Sequence, residues 1–419
     1  MKKILHLDVN SYFATLEQQA HPNLRGKPIG VAGKGKGERT VVCAASIEAK
    51  TFGVKSGMAV WEALRLCPQL IIIPATYDRY SFTSKRIFDL MERFGPKVDV
   101  FSIDEAFLEL DSDIGWDDAR IIAKRIKALI RQEIGEWVSV SIGISYGKTL
   151  AKLASEMQKP DGLTVIRPED FPRIAAVTPI EELCGVGFRL RPRLNRMGIA
   201  TIAELGRMPK DMLVAVFGDH TGSWLHQIGN GQDSNIIHSW RSLPQEKSIG
   251  HSYTLPHNIS NMADVKKVLL LLSERVGVRL RGKHLVGTTV LAYLRFEDGS
   301  GWCERHTQKE YLLDGYQIYR AGERLLNGAS SLKPVRQVGI TVSDLASEYE
   351  ATAPLFEGSR ANEQLTHAVD KINNRWGEWT VHRGILHKIR QRIFNLPDGR
   401  DKRKFIPEIT NINPFTKRV

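Results

Sequence analysis

The chain has 419 residues, of which 42% are hydrophobic and 25% charged, and 59 Lys and Arg stand against 47 Asp and Glu for a net charge of +12. This length predicts several domains, and the basic excess is typical of a chain that binds a polyanion. The four scattered cysteines form no CxxC pair, which indicates buried free thiols, and the absence of a signal peptide or a long apolar run predicts a soluble, cytoplasmic protein without a membrane contact.

The first predicted element is a strand that ends in an acid. In "MKKILHLDVNSYFATLEQ", residues alternate in the manner of a strand up to Asp8, and a helical pattern begins around Tyr12. Asp8 could cap this helix, although Asn10 and Ser11 are also available for that. Alternatively, it could deliver a metal ligand at the edge of a sheet.

The stretch "FSIDEAFLEL" at 101–110 places two neighbouring acids, Asp104 and Glu105, between two β-rich runs. Adjacent side chains of a strand point to opposite faces, so the two acids converge only if the chain bends there. We therefore predict an antiparallel pair with the acids at the bend, either as a solvated hairpin tip or as a metal site. With Asp8, they could surround a pair of divalent ions, and such oxygen ligands suit Mg²⁺ or Mn²⁺.

The pattern from 166 to 236 is helical, and "CGVGFRLRPRLNRMGIATIAEL" within it has glycines between two amphipathic stretches. This indicates a helix-hairpin-helix whose backbone N–H groups, at Gly185 and Gly187, could bind phosphates, or else a plain helical turn.

Strands around helices are predicted after the helical region. "LVGTTVLAYLRF" and "PVRQVGITVSDL" read as two of these strands. Lys283, Arg295 and Arg336 are candidates for contacts with a nucleic-acid backbone there, although any single one is more often a surface charge.

Five segments in series carry a resemblance to a known family. They are "LDVNSYFA", "EAKTFGVKSGM", "SIDEAF", "SIGISYGKTLAKLASEMQKPDGL" and "CGVGFRLRPRLNRMGIATIAEL". Their order and spacing over residues 1 to about 345 resemble those of the Y-family, or translesion, DNA polymerases. The early motifs resemble the UmuC-like branch, and the region from 240 onward is closer to the DNA polymerase IV (DinB) branch.

The resemblance implies an α+β multidomain fold shaped like a right hand. The palm would comprise 1–30 and 75–165, the small fingers 31–74, and the thumb with its helix-hairpin-helix 166–236. An α/β little finger would comprise 237–345, followed by a C-terminal extension at 346–419.

The implied reaction is error-prone addition of a deoxynucleoside triphosphate to a primer 3′ end on a DNA template. Asp8 and Asp104 would bridge two Mg²⁺ ions, Glu105 would complete the site, and the carbonyl of Val9 would help to hold the nucleotide-side ion. A nucleotide cyclase and a non-catalytic DNA-binding relative of the family are the alternatives.

The resemblance also assigns residues to the nucleotide. Lys159 and Lys50 would meet the triphosphate, and Lys50 would do so without the bidentate fork of an arginine. Phe13 resembles the steric gate that excludes a 2′-hydroxyl, and its alternative is a core phenylalanine. Ile47 departs from the pattern, because many relatives have a tyrosine at that position.

The C-terminal extension carries two further predictions. Leu355 and Phe356, in "TAPLFEGS", resemble a peptide that docks on the sliding clamp, although the usual leading Gln is missing and the segment could instead pack on the little finger. The basic tail from Arg383 onward is expected to be flexible and to add non-specific affinity for DNA, and the alternative is a solubilising tail that makes no contact with DNA.

Overall fold

The structure is a computed structural model that describes residues 1–33, 39–234, 236–242, 246–329, 333–349 and 357–387, with side chains from 364 onward in the last range. These residues belong to two compact units that divide between 243 and 244. None of the described helices is long and apolar enough to cross a bilayer. The cysteines are free, but only Cys67 is buried and Cys303 is exposed, so the prediction of buried thiols is wrong for Cys303.

Strands and helices alternate through the first part of the first unit. The elements are β1 (Lys3–Val9), α1 (Tyr12–Ala20), β2 (Ile29–Ala32), β3 (Val42–Ala45), α2 (Ile47–Thr51), α3 (Val60–Leu66), β4 (Ile71–Pro74), α4 (Tyr77–Met91), β5 (Lys97–Val100), β6 (Glu105–Leu110), α5 (Trp116–Leu129), β7 (Val140–Ser145), α6 (Lys148–Glu156) and β8 (Leu163–Val165).

Two sheets are built from these strands. The larger has the order β5-β6-β1-β7-β8, and a smaller sheet has the order β3-β2-β4. Strand β1 is the centre of the larger sheet and runs antiparallel to both β6 and β7. Leu5 and Leu7 on one face of β1 enter the main hydrophobic core, and Ile4 on the other face packs with Phe107 and Ala151. Both faces of β1 are therefore covered by other parts of the unit.

A helical segment follows the larger sheet. Gly206 and Gly229 let two of its helices pack in close contact, because a Cβ at Gly206 would lie 2.3 Å from the Gly229 carbonyl oxygen. Ile237 and Trp240 then pack back against the larger sheet and its helices. The helices are α7 (Phe171–Val177), α8 (Arg191–Arg196), α9 (Ile202–Gly206), α10 (Lys210–Phe217) and α11 (Asp219–Gly229).

The second unit is a four-stranded antiparallel sheet with helices packed on one face. The elements are β9 (Ser248–Ile259), α12 (Met262–Arg281), β10 (Leu285–Phe296), β11 (Gly301–Leu312), α13 (Gly315–Leu326), β12 (Val335–Ser347) and α14 (Glu357–Trp376). The sheet order is β11-β10-β12-β9, and α12 and α13 bury the apolar side chains of one face.

The chain after α14 is anchored on α12. Leu386 is 0% exposed and packs against Leu270 and Leu271, and Arg383 Nε lies 2.5 Å from Glu274 Oε1. The expectation of a flexible chain from Arg383 onward is therefore wrong for Arg383–His387, because the apolar Leu386 finds a buried position. The rest of the basic tail, 388–419, lies outside the described residues.

Candidate active site

The antiparallel pairing of β1 with β6 brings the three predicted acids together. Asp8 lies directly opposite Glu105 in this register, so the two carboxylates share a face of the sheet. The amide of Val9 donates to the carbonyl of Asp104 at 2.9 Å, which places Asp104 beside the end of β1. Residues 101–104 form the connection between β5 and β6, so the prediction of a bend at the acids is confirmed.

The carboxylates are partly buried rather than solvated. The side chains of Asp8 and Glu105 are only 14% and 12% exposed. Burial raises the pKa of Asp8, and Lys159 opposes this with its Nζ 2.8 Å from Asp8 Oδ1. Burial likewise raises the pKa of Asp104, although a hydrogen bond from the Ser102 hydroxyl opposes it. The alternative of a solvated hairpin tip is therefore wrong.

Glu105 has a different environment from its neighbours. Its Oε2 accepts a hydrogen bond from His6 Nε2 at 3.1 Å and is also contacted by the ammonium of Lys152. Burial alone would raise the pKa of Glu105, but these two partners outweigh it and lower the pKa to about 2. Glu105 is therefore ionised at neutral pH.

The donor set fits divalent ions by its chemistry. No three Asp, Glu, His or Cys side chains of the described residues stand in the geometry of a metal cage. Instead, the ammonium group of Lys159 pairs with Asp8 and that of Lys152 pairs with Glu105. These two groups supply the positive charge that the carboxylates need. Asp8 and Glu105 at the facing ends of β1 and β6, with Asp104 in the connection beside them, supply carboxylate oxygens of the kind that suit Mg²⁺ or Mn²⁺.

A cleft of about 530 Å³ opens over Asp8 and Asp104, whereas Glu105 is not among the described residues that line it. Ile47 lies on its wall and is 40% exposed, so the position of the family tyrosine presents an apolar side chain without a hydroxyl. Burial lowers the pKa of Lys50, and the positive charge of Lys159 lowers it further. The predicted site residues that line the cleft are Asp8, Val9, Phe13, Lys50, Asp104 and Lys159.

Phe13 belongs to an aromatic group at the side of the cleft. Its half-buried ring stacks on Tyr80 with centroids 4.3 Å apart and meets Tyr77 edge-on at 6.1 Å. The Tyr80 hydroxyl donates to the buried carboxylate of Glu17 at 2.6 Å, which holds that ring in place. Phe13 thus has one face against a fixed neighbour and still lines the cleft.

The predicted phosphate-binding hairpin lies among the helices of the same unit, before α8. Gly185 has φ +113°, and a Cβ there would lie 2.7 Å from the Trp224 ring, so the hairpin requires glycine. The Gly187 carbonyl accepts from the amides of Leu190 and Arg191 at 3.0 Å and so starts the next helix.

The basic residues predicted in the second unit differ in their surroundings. Lys283 Nζ lies 2.5 Å from Glu246 Oε1, whereas Arg295 on β10 and Arg336 on β12 are exposed. Leu355 and Phe356 lie outside the described residues, so docking on a sliding clamp stays a prediction.

Two further side chains lie at the acids without a predicted role: His6, just before the first family segment, and Lys152, within the family segment at 141–163. Their sequence signals are weak: His6 precedes Asp8 by two residues, which places both on one strand face, and Lys152 lies one helical turn from Ser155. Neither spacing indicates contact with Glu105.

Comparisons with known proteins cover most of the chain. Family models match residues 7–156 (impB/mucB/samB family), 181–233 (DNA polymerase-iota, thumb domain) and 246–355 (impB/mucB/samB family C-terminal domain). DNA polymerase IV of Moorella thermoacetica is 38% identical over 91% of this chain and 95% of the relative, and that of Pelotomaculum thermopropionicum is 37% identical over 91% and 94%.

Solved structures show the same fold. A chimera of the Y-family DNA polymerases Dbh and Dpo4 superposes with a TM-score of 0.73 at 24% identity, over 82% of this chain and 99% of the chimera. An insertion ternary complex of Dbh DNA polymerase superposes with a TM-score of 0.57 at 25% identity, over 81% and 98%. The prediction of an α+β multidomain fold of the Y-family polymerase type is therefore confirmed.

Proposed function

The chain belongs to the impB/mucB/samB family of Y-family DNA polymerases, and we propose from this premise how its residues perform the reaction. It is a DNA-directed DNA polymerase of the translesion type. A nucleotide cyclase is not favoured, because family models also match a thumb and a C-terminal domain. A non-catalytic relative is not favoured either, because all three acids are present and close together.

The elements divide among the parts of a polymerase hand as follows. The larger sheet of the first unit is the palm, and the smaller sheet with α2 and α3 is the fingers. Helices α7 to α11 with the glycine hairpin are the thumb, and the second unit up to β12 is the little finger. The expected start of the little finger at 237 falls before the division at 243, since Ile237 and Trp240 pack against the palm.

Asp8, Asp104, Glu105 and the carbonyl of Val9 are the proposed ligands of two divalent ions. Mg²⁺ or Mn²⁺ bound there would lower the pKa of the primer hydroxyl and neutralise charge on the leaving pyrophosphate. The observation that carries this proposal is the placement of the acids: Asp8 lies opposite Glu105 at the ends of β1 and β6, and Asp104 lies beside the end of β1 and lines the cleft together with Asp8.

The remaining residues of the cleft bind and select the nucleotide. Lys159 and Lys50 present two ammonium groups to the triphosphate, and Lys159 would exchange its contact with Asp8 for a phosphate oxygen. Phe13 lies under the sugar and leaves no room for a 2′-hydroxyl. The hairpin at Gly185 and Gly187 binds backbone phosphates of the duplex without reading bases.

Primer extension by site variants tests this proposal. Asp104→Asn keeps the shape of the side chain and should abolish extension, while binding of primer–template, measured by fluorescence anisotropy, stays at the parental value. Glu105→Ala is the poorer choice, because it leaves His6 and the Lys152 charge without their buried partner. Extension at the parental rate by Asp104→Asn would refute the metal assignment.

A further inference from the structure

His6 is a fully buried polar side chain next to the acids, and the proposed chemistry does not use it. It is 0% exposed and lies two residues before Asp8 on β1. Its Nε2 lies 3.1 Å from Glu105 Oε2, and its Nδ1 lies 2.8 Å from the hydroxyl of Ser155 on α6. Its ring also packs against Phe107 with centroids 4.6 Å apart. Both ring nitrogens are therefore partnered, and one partner is a proposed metal ligand.

The chemistry of these partners determines which nitrogen carries the proton. An ionised carboxylate only accepts hydrogen bonds, so Nε2 must donate to Glu105. The Ser155 hydroxyl lies 2.8 Å from Nδ1 and 2.7 Å from the Lys152 carbonyl oxygen, so it links the imidazole to the backbone of α6. This link fixes the plane of the ring and with it the direction in which Nε2 faces Glu105.

The contact between His6 and Ser155 depends on a close approach of α6 to the sheet. Gly143 of β7 lies opposite His6 in the register of the two strands. A Cβ at Gly143 would lie 2.1 Å from the Ala151 carbonyl oxygen and 2.3 Å from the Ser155 amide nitrogen. Only glycine permits this packing, which brings Ser155 within reach of the imidazole. The arrangement is therefore part of the palm's packing rather than an adjustable surface contact.

The two partners of Glu105 contact the same carboxylate oxygen. His6 and Lys152 both reach Oε2, and Oε1 receives no hydrogen bond from the described residues. Lys152 ends a flexible stem and acts as a point charge, whereas the enclosed imidazole has a fixed direction. Both partners favour the ionised form of Glu105, and the enclosed histidine in addition fixes its orientation.

We propose that His6 is a positioning residue for polymerisation: it holds Oε2 of Glu105 so that the second oxygen stays available for a divalent ion. The inference rests on the proposed function, because a Glu105 that held no metal would need no such orientation. Hydrogen-bonding partners of metal ligands typically contribute about 10- to 100-fold to metal affinity or activity. The competing explanation is a core histidine that only fills space against Phe107.

A pair of substitutions separates orientation from packing. His6→Leu keeps most of the volume but removes the donor, whereas His6→Gln keeps an N–H group near the position of Nε2. Mn²⁺ affinity would be measured by electron paramagnetic resonance with a dideoxy-terminated primer–template and a nucleotide, so that no bond forms. Single-nucleotide kinetics, a thermal melt and an exposed-histidine control, His220→Leu, complete the set.

His6→Leu should weaken Mn²⁺ binding and lower kcat by about 10- to 100-fold, and His6→Gln should recover most of both losses. KM for the nucleotide should change by less than about twofold, because Phe13, Lys50 and Lys159 are untouched. Should His6→Leu fail to fold, Ser155→Ala, which removes the contact that fixes the ring, should give a smaller loss in the same direction.

Two results would overturn the inference: parental Mn²⁺ affinity and kcat in His6→Leu with a lowered melting temperature, or equal losses in the Leu and Gln variants. Asp104→Asn, assayed in parallel, identifies which proposal fails. If it abolishes extension while the His6 variants behave as the parent, the positioning inference alone is wrong. If it extends primers normally, the metal assignment itself is wrong.

Discussion

Replacing Phe13 by alanine tests whether the ring selects the sugar or only packs. The substitution removes the stack on Tyr80 and leaves the acids and lysines of the cleft in place. Phe→Ala in a packed interior costs about 3–5 kcal/mol, so this half-buried ring should cost about half of that. In a domain of about 150–250 residues, each kcal/mol lowers Tm by about 2–4 °C, so a moderate shift is expected.

The effect on sugar selection can be estimated separately. A 2′-hydroxyl pressed against the ring is an overpacked contact, which typically costs about 1–3 kcal/mol. Because about 1.4 kcal/mol corresponds to tenfold in rate, Phe13→Ala should raise the ratio of ribo- to deoxynucleotide incorporation by about 10- to 100-fold. Incorporation of deoxynucleotides should fall only modestly.

The assay is single-nucleotide incorporation of a ribo- and a deoxynucleotide opposite the same template base, together with a thermal melt. Phe94→Ala is a matched control, because Phe94 is also half-buried against the palm core but does not line the cleft. It should lower Tm without changing the sugar ratio. If Phe13→Ala behaves like Phe94→Ala, the ring is packing and the gate assignment is wrong.

Two predictions concern the little finger. Burial and the charges of Arg275 and Arg279 lower the pKa of His251 from 6.5 to about 4, so only the unfolded chain takes up this proton between those values. The contribution of this residue to the free energy of unfolding should therefore be complete above pH 6.5 and fall by up to about 1.4 kcal/mol per pH unit down to pH 4. The free energy of unfolding measured by hydrogen exchange of β9 amides should depend less on pH in His251→Gln than in the exposed control His257→Gln. Asp370→Asn breaks the ion pair with the buried Arg281, 2.6 Å away, and should lower the free energy of unfolding of this unit in urea by about 3–5 kcal/mol. The control Asp264→Asn removes an exposed ion pair and should lower it by less than about 1 kcal/mol. Equal losses in the two variants would refute a structural role for the pair of Asp370 and Arg281.

Local patterns were sufficient to predict the parts of the site that lie within a few residues of one another. The strand ending at Asp8 and the bend at Asp104 follow from alternation and turn position, and each acid is part of a motif. The order of the motifs along the chain was enough to identify the family, because five segments in series constrain the fold more than any one of them. The α+β multidomain fold followed from that family.

Contacts between distant elements were decided only by the tertiary structure. Ser155 and His6 are 149 residues apart, and they meet because Gly143 lets α6 approach β1 closely. Leu386, in a stretch whose composition predicts a flexible tail, is buried because α12 offers apolar side chains that the tail's own sequence does not reveal. Periodicity and charge indicate which side chains of a segment can be buried, but the partner of that segment depends on how the other segments pack. For this reason the sequence predicted neither the partners of Glu105 nor the anchoring of the chain after α14.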